Sequence, residues 1–450
     1  MRKISNLDMT NGPFLKKIIA FAVPIILTGL VQMSYNAADT IIVGRFAGST
    51  ALAAVAATGY ISSLLVNIFL GLSIGAGVVV SNAIGAKDKD TISRSVHTSM
   101  LLSLISGFII TIAGVILSKP LLRFLATPAD IIDLSSRYLK IIFLGTPFSM
   151  FNNFGSSILR AKGDTKYPLF ISIFSGILNV VLNLFFVIAI PLGVVGVATA
   201  TVISSVISAV LVAFLLVKQN NDCKLYFKKL RLHKNELIRI IKIGFPAGFQ
   251  TICFTLAGTI VQSTINTFGS MAVAGVSVSS KIDSLISLSM GAFSQAATTF
   301  ISQNLGDEKY ENIDKVFYRC QMLNTGTALV LSTLGLIFAE KFMGIFTTDT
   351  DVIAYGAERL WYILPFMFVC GFMDMSSATL RGMGISFVPM IITLIGSCFT
   401  KVIWVYAAFP LNPTLPMVYI SFPLCWLLTF IPLFILKTIE KRKLCAHKYI

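Results

Sequence analysis

The sequence predicts an all-α polytopic membrane protein, with twelve transmembrane helices in two six-helix pseudo-symmetric lobes. Three observations carry that expectation: the composition, the recurrence of long charge-free stretches, and a chain that repeats itself. Of 450 residues, 55% are hydrophobic and 12% charged, and the mean hydropathy is +0.83. A soluble core cannot hide so much apolar surface.

Crossing about 30 Å of hydrocarbon takes roughly 20 apolar residues per helix. Uncharged stretches run over residues 18–38, 46–86, 98–118, 141–159, 167–217, 243–280, 284–306, 320–339, 360–373, 382–400 and 402–436. Turn signals subdivide some of them. "IPLG" at 190–193 splits 167–217 into two spans, and "FPLNPTLP" at 409–416 ends one helix and begins another. The stretches are apolar on every face, whereas barrel strands would alternate at period two.

The internal repeat sets the domain organisation. "LRAKGDTKYP" at 159–168 matches "LRGMGISFVP" at 380–389, so Arg160, Gly163 and Pro168 meet Arg381, Gly384 and Pro389 at a shift of 221. Gly85 and Gly306 fall at the same shift, and Pro24 meets Pro246 at 222, with a one-residue gap near Gly48. The expected division is a first lobe at 1–217, a basic linker at 218–242, and a second lobe with a basic tail at 243–450. Six spans per half make the repeats parallel. Interleaved Lys, Arg, Leu, Phe and Ile at 223–242 suit an amphipathic helix on the inner lipid face, or a plain linker.

A net charge of +16 could point to nucleic acid, but its distribution does not. With the N-terminus inside, 27 of the 36 Lys and Arg, among them Arg2, Lys3 and Lys448, fall in inner segments and seven, including Arg359, in outer ones. That bias places both termini in the cytoplasm. The first apolar run has no A-x-A cleavage site, so it is expected to stay as a span. The seven Cys lie between 223 and 445 without metal or disulfide spacing.

Charged residues inside the spans carry the functional expectation. Asp39 follows an uncharged run and lies some 15 residues beyond Pro24, a potential helix hinge. A carboxylate at mid-bilayer costs about 2.5–3.5 kcal/mol on insertion scales, so it needs a partner or a watery cavity. Asn179 and Asn183 share a helix face at i and i+4, and Thr199 and Thr201 open the next span. Such oxygens can hold a small cation or a transferable proton; the same groups can equally serve as interhelical hydrogen bonds. In the second half Lys281, Asp283, Asp374 and Lys401 suggest mutual neutralisation, with Lys401 expected to pair with Asp283 or Asp374; a static ion-pair network is the plainer reading.

Other features read as structure. "GLSIGAG" at 71–77 contains a GxxxG pair expected to pack against another helix. Arg160 and Arg381 suit inner-loop anchoring, and His97, His233 and His447 form no cluster. There is no Walker loop, no nucleophile with a nearby base, and no metal-ligand spacing, so neither an enzyme nor an ATP motor is expected.

The doubled R-x-x-G-x-x-x-x-P, "PIILTGLVQMSYNAADTIIVGR" in the first span and "GAFSQAATTFISQNLG" in the eighth together resemble the multidrug and toxic compound extrusion (MATE) transporters over nearly the whole chain. The resemblance implies two six-helix lobes and export in exchange for inward Na⁺ or H⁺. It matches Asp39 to the acidic residue of the family's first helix, Pro24 to a bending proline, and Asn179 and Thr201 to the amino-terminal cation site. Asn183 stands where many members have Asp, which should weaken a dehydrated Na⁺ site and favours H⁺ or a looser Na⁺ site. Asp374 lies about one turn from an acidic position that some members use.

The expected function is a cation-coupled antiporter, moving H⁺ or Na⁺ inward and amphipathic or cationic organic compounds outward by alternating access. The expected setting is a prokaryotic cytoplasmic membrane, with the chain a monomer in membrane lipid, with no cofactor beyond the coupling ion and no nucleic acid. The alternative is a lipid-linked saccharide flippase of the same superfamily, for which Lys281 and Lys401 would supply phosphate-binding cations. A major-facilitator transporter is disfavoured, because "GAKDKDTISR" at 85–94 lacks its characteristic basic loop.

Overall fold

The computed structural model describes residues 7–125 and 127–447. Arg2, Lys3 and Lys448, used in the topology expectation, lie outside these residues. Among the described residues all regular structure is helical. The first half holds α1 (Phe14–Ala47), α2 (Ser49–Gly85), α3 (Lys89–Phe124), α4 (Ile132–Leu144), α5 (Thr146–Ala161), α6 (Lys166–Ala189) and α7 (Gly193–Val217). The second holds α8 (Lys234–Asn266), α9 (Ser270–Gly306), α10 (Glu311–Ile337), the short α11 (Ala339–Gly344), α12 (Thr350–Gly382), α13 (Phe387–Leu411) and α14 (Leu415–Ala446).

Eleven of these helices are long and apolar enough to cross a membrane. The twelfth crossing is broken. α4 and α5, of 13 and 16 residues, meet at Gly145 with Pro147 in the first turn of α5; at 1.5 Å per residue they total roughly 40 Å. The expected span at 141–159 therefore begins too late, because the charged side chains Asp133, Arg137 and Lys140 sit inside α4. The expected span at 360–373 is corrected in the same way. Asp349 caps the start of α12 by accepting from the backbone N–H groups of Asp351 (3.0 Å) and Val352 (3.4 Å). That start places Arg359 within a helix instead of an outer loop. The breaks at "IPLG" and "FPLNPTLP" fall as expected, between α6 and α7 and between α13 and α14.

The repeat is visible in the backbone. Gly48 and Gly269 have φ of +88° and +92°, Lys87 and Glu308 +57° and +55°, and Gly163 and Gly384 +94° and +83°. A left-handed residue is costly for a side chain with Cβ, yet each pair recurs at the shift found in the sequence.

The chain divides into two compact units, one containing Val23–Gly248 and the other Met9–Ala22 with the chain from Phe249 onwards. The first unit is cored by Val78, Val96, Phe154, Leu216 and Ile240, from α2, α3, α5, α7 and α8. Within it the expected glycine packing is present. A Cβ on Gly71 would lie 2.3 Å from the Gly248 nitrogen, and one on Gly75 2.5 Å from the Ile240 oxygen, so α2 and α8 touch backbone to backbone. In the second unit Phe21 meets Phe300 edge to face at 5.7 Å, and the Asn304 amide donates to the Met9 carbonyl at 2.8 Å.

Of the two readings of 223–242, the plain linker describes 223–233, while residues 234–242 are the first turns of α8. Only a single 3-10 turn, Phe227–Lys229, precedes α8. The segment's backbone is satisfied elsewhere: Leu225 N–H donates to Leu216 O (3.1 Å), Tyr226 N–H to His97 Nε2 (3.1 Å) and His233 N–H to Thr98 Oγ1 (3.1 Å). With Cys223 and Leu225 buried in the core, the linker is stapled to α3 and α7.

Candidate ion-coupling site

α1 places Asp39, half-buried, beside α6 in the first unit. Pro24, about four turns earlier, cannot donate the N–H that an unbroken helix requires, and Thr28 Oγ1 donates to its carbonyl at 2.7 Å. Beyond Asp39 the helix widens into a π-helical turn at Val43–Ala47, and α6 does the same at Phe185–Ala189, directly after Asn183. Single π turns inside α-helices frequently accompany functional sites. Ile42, Val43, Val187, Val194 and Val197, with Tyr138 against them, form the apolar cluster beside the site.

A continuous hydrogen-bond chain joins the residues singled out in the sequence. Asn183 Nδ2 donates to Asp39 Oδ1 and to Asn179 Oδ1 (3.2 Å), and Asn179 Nδ2 donates to Thr201 Oγ1 (3.4 Å). Thr201 in turn donates to the Val197 carbonyl at 3.0 Å. Both asparagines are buried, Asn183 completely. Thr199 is not part of the chain; its hydroxyl returns to the Val195 carbonyl at 2.8 Å. Asn183 Oδ1 is buried without a hydrogen-bond partner, leaving an acceptor open beside the carboxylate. Carboxylate, amide and hydroxyl oxygens make a hard donor set that suits a proton or a small cation such as Na⁺ as cargo. Among the described residues no group of three or more His, Cys, Asp or Glu is placed to hold a metal ion.

The chain ends at a cavity of about 190 Å³ among α1, α5, α6 and α7. Asn179 and Thr201 belong to its wall, together with Gln32, Asn152, Asn153 and Arg160. Ser204, Ser205 and Ser208 add hydroxyls along α7, each donating back to its own helix. The loop-anchoring reading of Arg160 therefore changes: it ends α5 and lines the cavity, with its Nε unpaired. Only the repeated Ser of "VISSVIS" and the paired Asn of "FNNFG" could have signalled this wall.

The four charges of the second half do not form one network. Asp283 pairs with Arg359, at 2.5 Å, and Arg359 also donates to Ser279 at 3.1 Å. The sequence reading missed Arg359 by assigning it to a loop. Lys401 pairs with neither Asp283 nor Asp374. Its buried ammonium lies 4.3 Å from the centroid of the Phe422 ring, a cation–π contact that replaces the expected carboxylate. Asp374 has no ion pair among the described residues, and Arg381 follows it two turns further along α12. Lys281 is exposed and unpaired among the described residues.

The MatE family model matches residues 24–185 and again 246–407, one match in each half. The chain belongs to the MatE family. This MatE chain is 28% identical to a probable multidrug resistance protein, YpnP, of Bacillus subtilis, covering 86% of this chain and 87% of that one. It is 24% identical to the multidrug export protein MepA of Staphylococcus aureus, covering 85% and 82%. Among solved structures, a MATE in the bent conformation superposes with a TM-score of 0.92 at 23% identity, covering all of both chains. An outward-facing multidrug resistance MATE transporter of the MOP superfamily gives 0.91 at 24% identity, covering 99% and 100%. Fold and family thus agree with the resemblance seen in the sequence, and the MatE chain is a multi-pass membrane protein of that two-lobed, twelve-helix architecture.

Proposed function

We propose that this MatE chain exports amphipathic or cationic organic compounds in exchange for an inward-moving cation, H⁺ or Na⁺, by alternating access of the halves 1–217 and 243–450. The observation that carries the reading is the partly buried chain Asp39–Asn183–Asn179–Thr201, which links a carboxylate on the proline-containing helix to a polar cavity. A carboxylate in that setting changes its interactions when it gains or loses a cation. Pro24 gives the same helix a point at which to respond. Multidrug resistance and export relatives support the substrate class. The bias of Lys and Arg supports cytoplasmic termini in a prokaryotic cytoplasmic membrane. No nucleic-acid partner is proposed, and the chain acts as a monomer.

Asp39→Asn keeps the side chain's size and removes its charge. In cells or proteoliposomes it should abolish ion-driven ethidium efflux while expression stays normal. Full efflux by that variant would overturn the coupling role.

A further inference from the structure

A second, separate pocket lies where the linker is stapled to the start of α3. It measures about 330 Å³ and is walled by Asp90, Arg94 and His97 from α3 and by Lys229, Arg231 and His233 from the linker. Its cations are unequally committed. Arg94 is held by Glu236 at 3.0 Å and by the Thr91 hydroxyl at 3.1 Å, so it is positioned and largely neutralised. Lys229 stacks over the Tyr226 ring at 5.0 Å, and neither it nor Arg231 has an ion pair among the described residues. Asp90 is the one acidic side chain in the wall.

The frame around these cations is built, not loose. Nδ1 of His97 approaches the Ser93 carbonyl at 2.6 Å and must therefore carry the proton, so Nε2 is free to accept the Tyr226 N–H. His97 is buried, and its ring stacks on Tyr226 at 6.3 Å. Thr98 donates to the Arg231 carbonyl at 3.3 Å and accepts from His233 N–H. The backbone carrying Lys229, Arg231 and His233 is thus fixed at both ends. Tyr226, Phe227 and Leu232 are exposed between these basic residues. Exposed aromatics interleaved with Lys and Arg are the pattern of a segment that rests among lipid headgroups.

We propose that this pocket binds a phosphate oxyanion, carried by the headgroup of an anionic phospholipid or by a soluble phosphate. The exposed aromatic flank favours the lipid as the source. Lys229 and Arg231 supply the charge, and the His97–Tyr226 staple holds them in place, so occupancy braces the segment joining the two halves.

The test uses the purified full-length chain in detergent, with native mass spectrometry as the readout. It is offered phosphatidylglycerol, phosphatidylcholine, or inorganic phosphate as competitor. The expected result is selective retention of phosphatidylglycerol, weakened roughly thirtyfold in Lys229→Gln/Arg231→Gln. Two basic residues at a headgroup surface contribute about 2 kcal/mol, which corresponds to that factor. Lys229→Arg/Arg231→Lys should retain the lipid, and Arg137→Gln/Lys140→Gln should leave retention unchanged. Displacement of the lipid by millimolar inorganic phosphate, or phosphate binding with the same residue dependence, supports the oxyanion site and names the soluble source. Equal retention of both lipids, or a Lys229/Arg231 variant that binds like the wild type with no phosphate effect, overturns the proposal. Transport is not read, so failure here leaves the ion-coupling reading untouched.

Discussion

Asn183 donates one amide to two acceptors, the Asp39 carboxylate and the Asn179 carbonyl, while its own oxygen is left without a donor. Replacing that amide by a carboxylate would place two acids at one site and raise its preference for a cation over neutral hydrogen bonding. Asn183→Asp should therefore tighten the Na⁺ dependence of efflux by about tenfold, the effect of some 1.4 kcal/mol from one added charged ligand. Titrating Na⁺ against ethidium efflux in proteoliposomes measures it, and an unchanged Na⁺ response would contradict the assignment of Asn183 to the site. The Asp283–Arg359 pair makes a different prediction. With both side chains largely buried, Arg359→Met strands a carboxylate and should cost about 3 kcal/mol or more in stability. Adding Asp283→Asn should recover most of that loss in thermal unfolding in detergent. Asp39 and the asparagines were legible in the sequence because a charge in an apolar run and an i,i+4 spacing are local signals. The Arg359 pairing was not, because its partner is 76 residues away and depends on which helices become neighbours.

Between helices, the α2–α8 crossing depends on glycine on both sides. Gly71 and Gly75 meet Gly244 and Gly248 so closely that an added Cβ would fall within 2.3–2.8 Å of backbone atoms. Backbone cannot rotate away as a side-chain end can. Gly71→Val should reduce the yield of folded protein severalfold in size-exclusion chromatography. Gly258→Ala, with nothing within 4 Å of the new methyl, should be tolerated. This crossing was foreseeable from the GxxxG pair, although its partner helix was not. The linker admitted two readings. Its periodicity suited a helix, but His97 and Thr98 satisfy its backbone from α3, and periodicity carries no information about such long-range acceptors. The charged ends of α4 and α12 were lost for a related reason: reading spans from uncharged stretches truncates helices whose polar turns extend beyond the hydrocarbon.

For the whole molecule, duplication was the most legible property. A single shift of 221 in the sequence reappears as three pairs of matching left-handed backbone positions, so the halves share turns as well as residues. Their chemistry has diverged. The first half keeps a carboxylate hydrogen-bonded to amides at the edge of a polar cavity, while the second holds an Asp–Arg pair and a lysine on an aromatic ring. The second half also keeps Asp374 without an ion pair among the described residues, so the proposal that coupling belongs to the first half rests on Asp39 being the carboxylate joined to a polar cavity. The most direct test of that assignment is substrate flux in proteoliposomes, with the Na⁺ and pH gradients imposed one at a time on the wild type and on Asp39→Asn. The account predicts that at least one gradient drives wild-type efflux and that neither drives the variant. Efflux that ignores both gradients, or an Asp39→Asn chain that follows them as the wild type does, would contradict it.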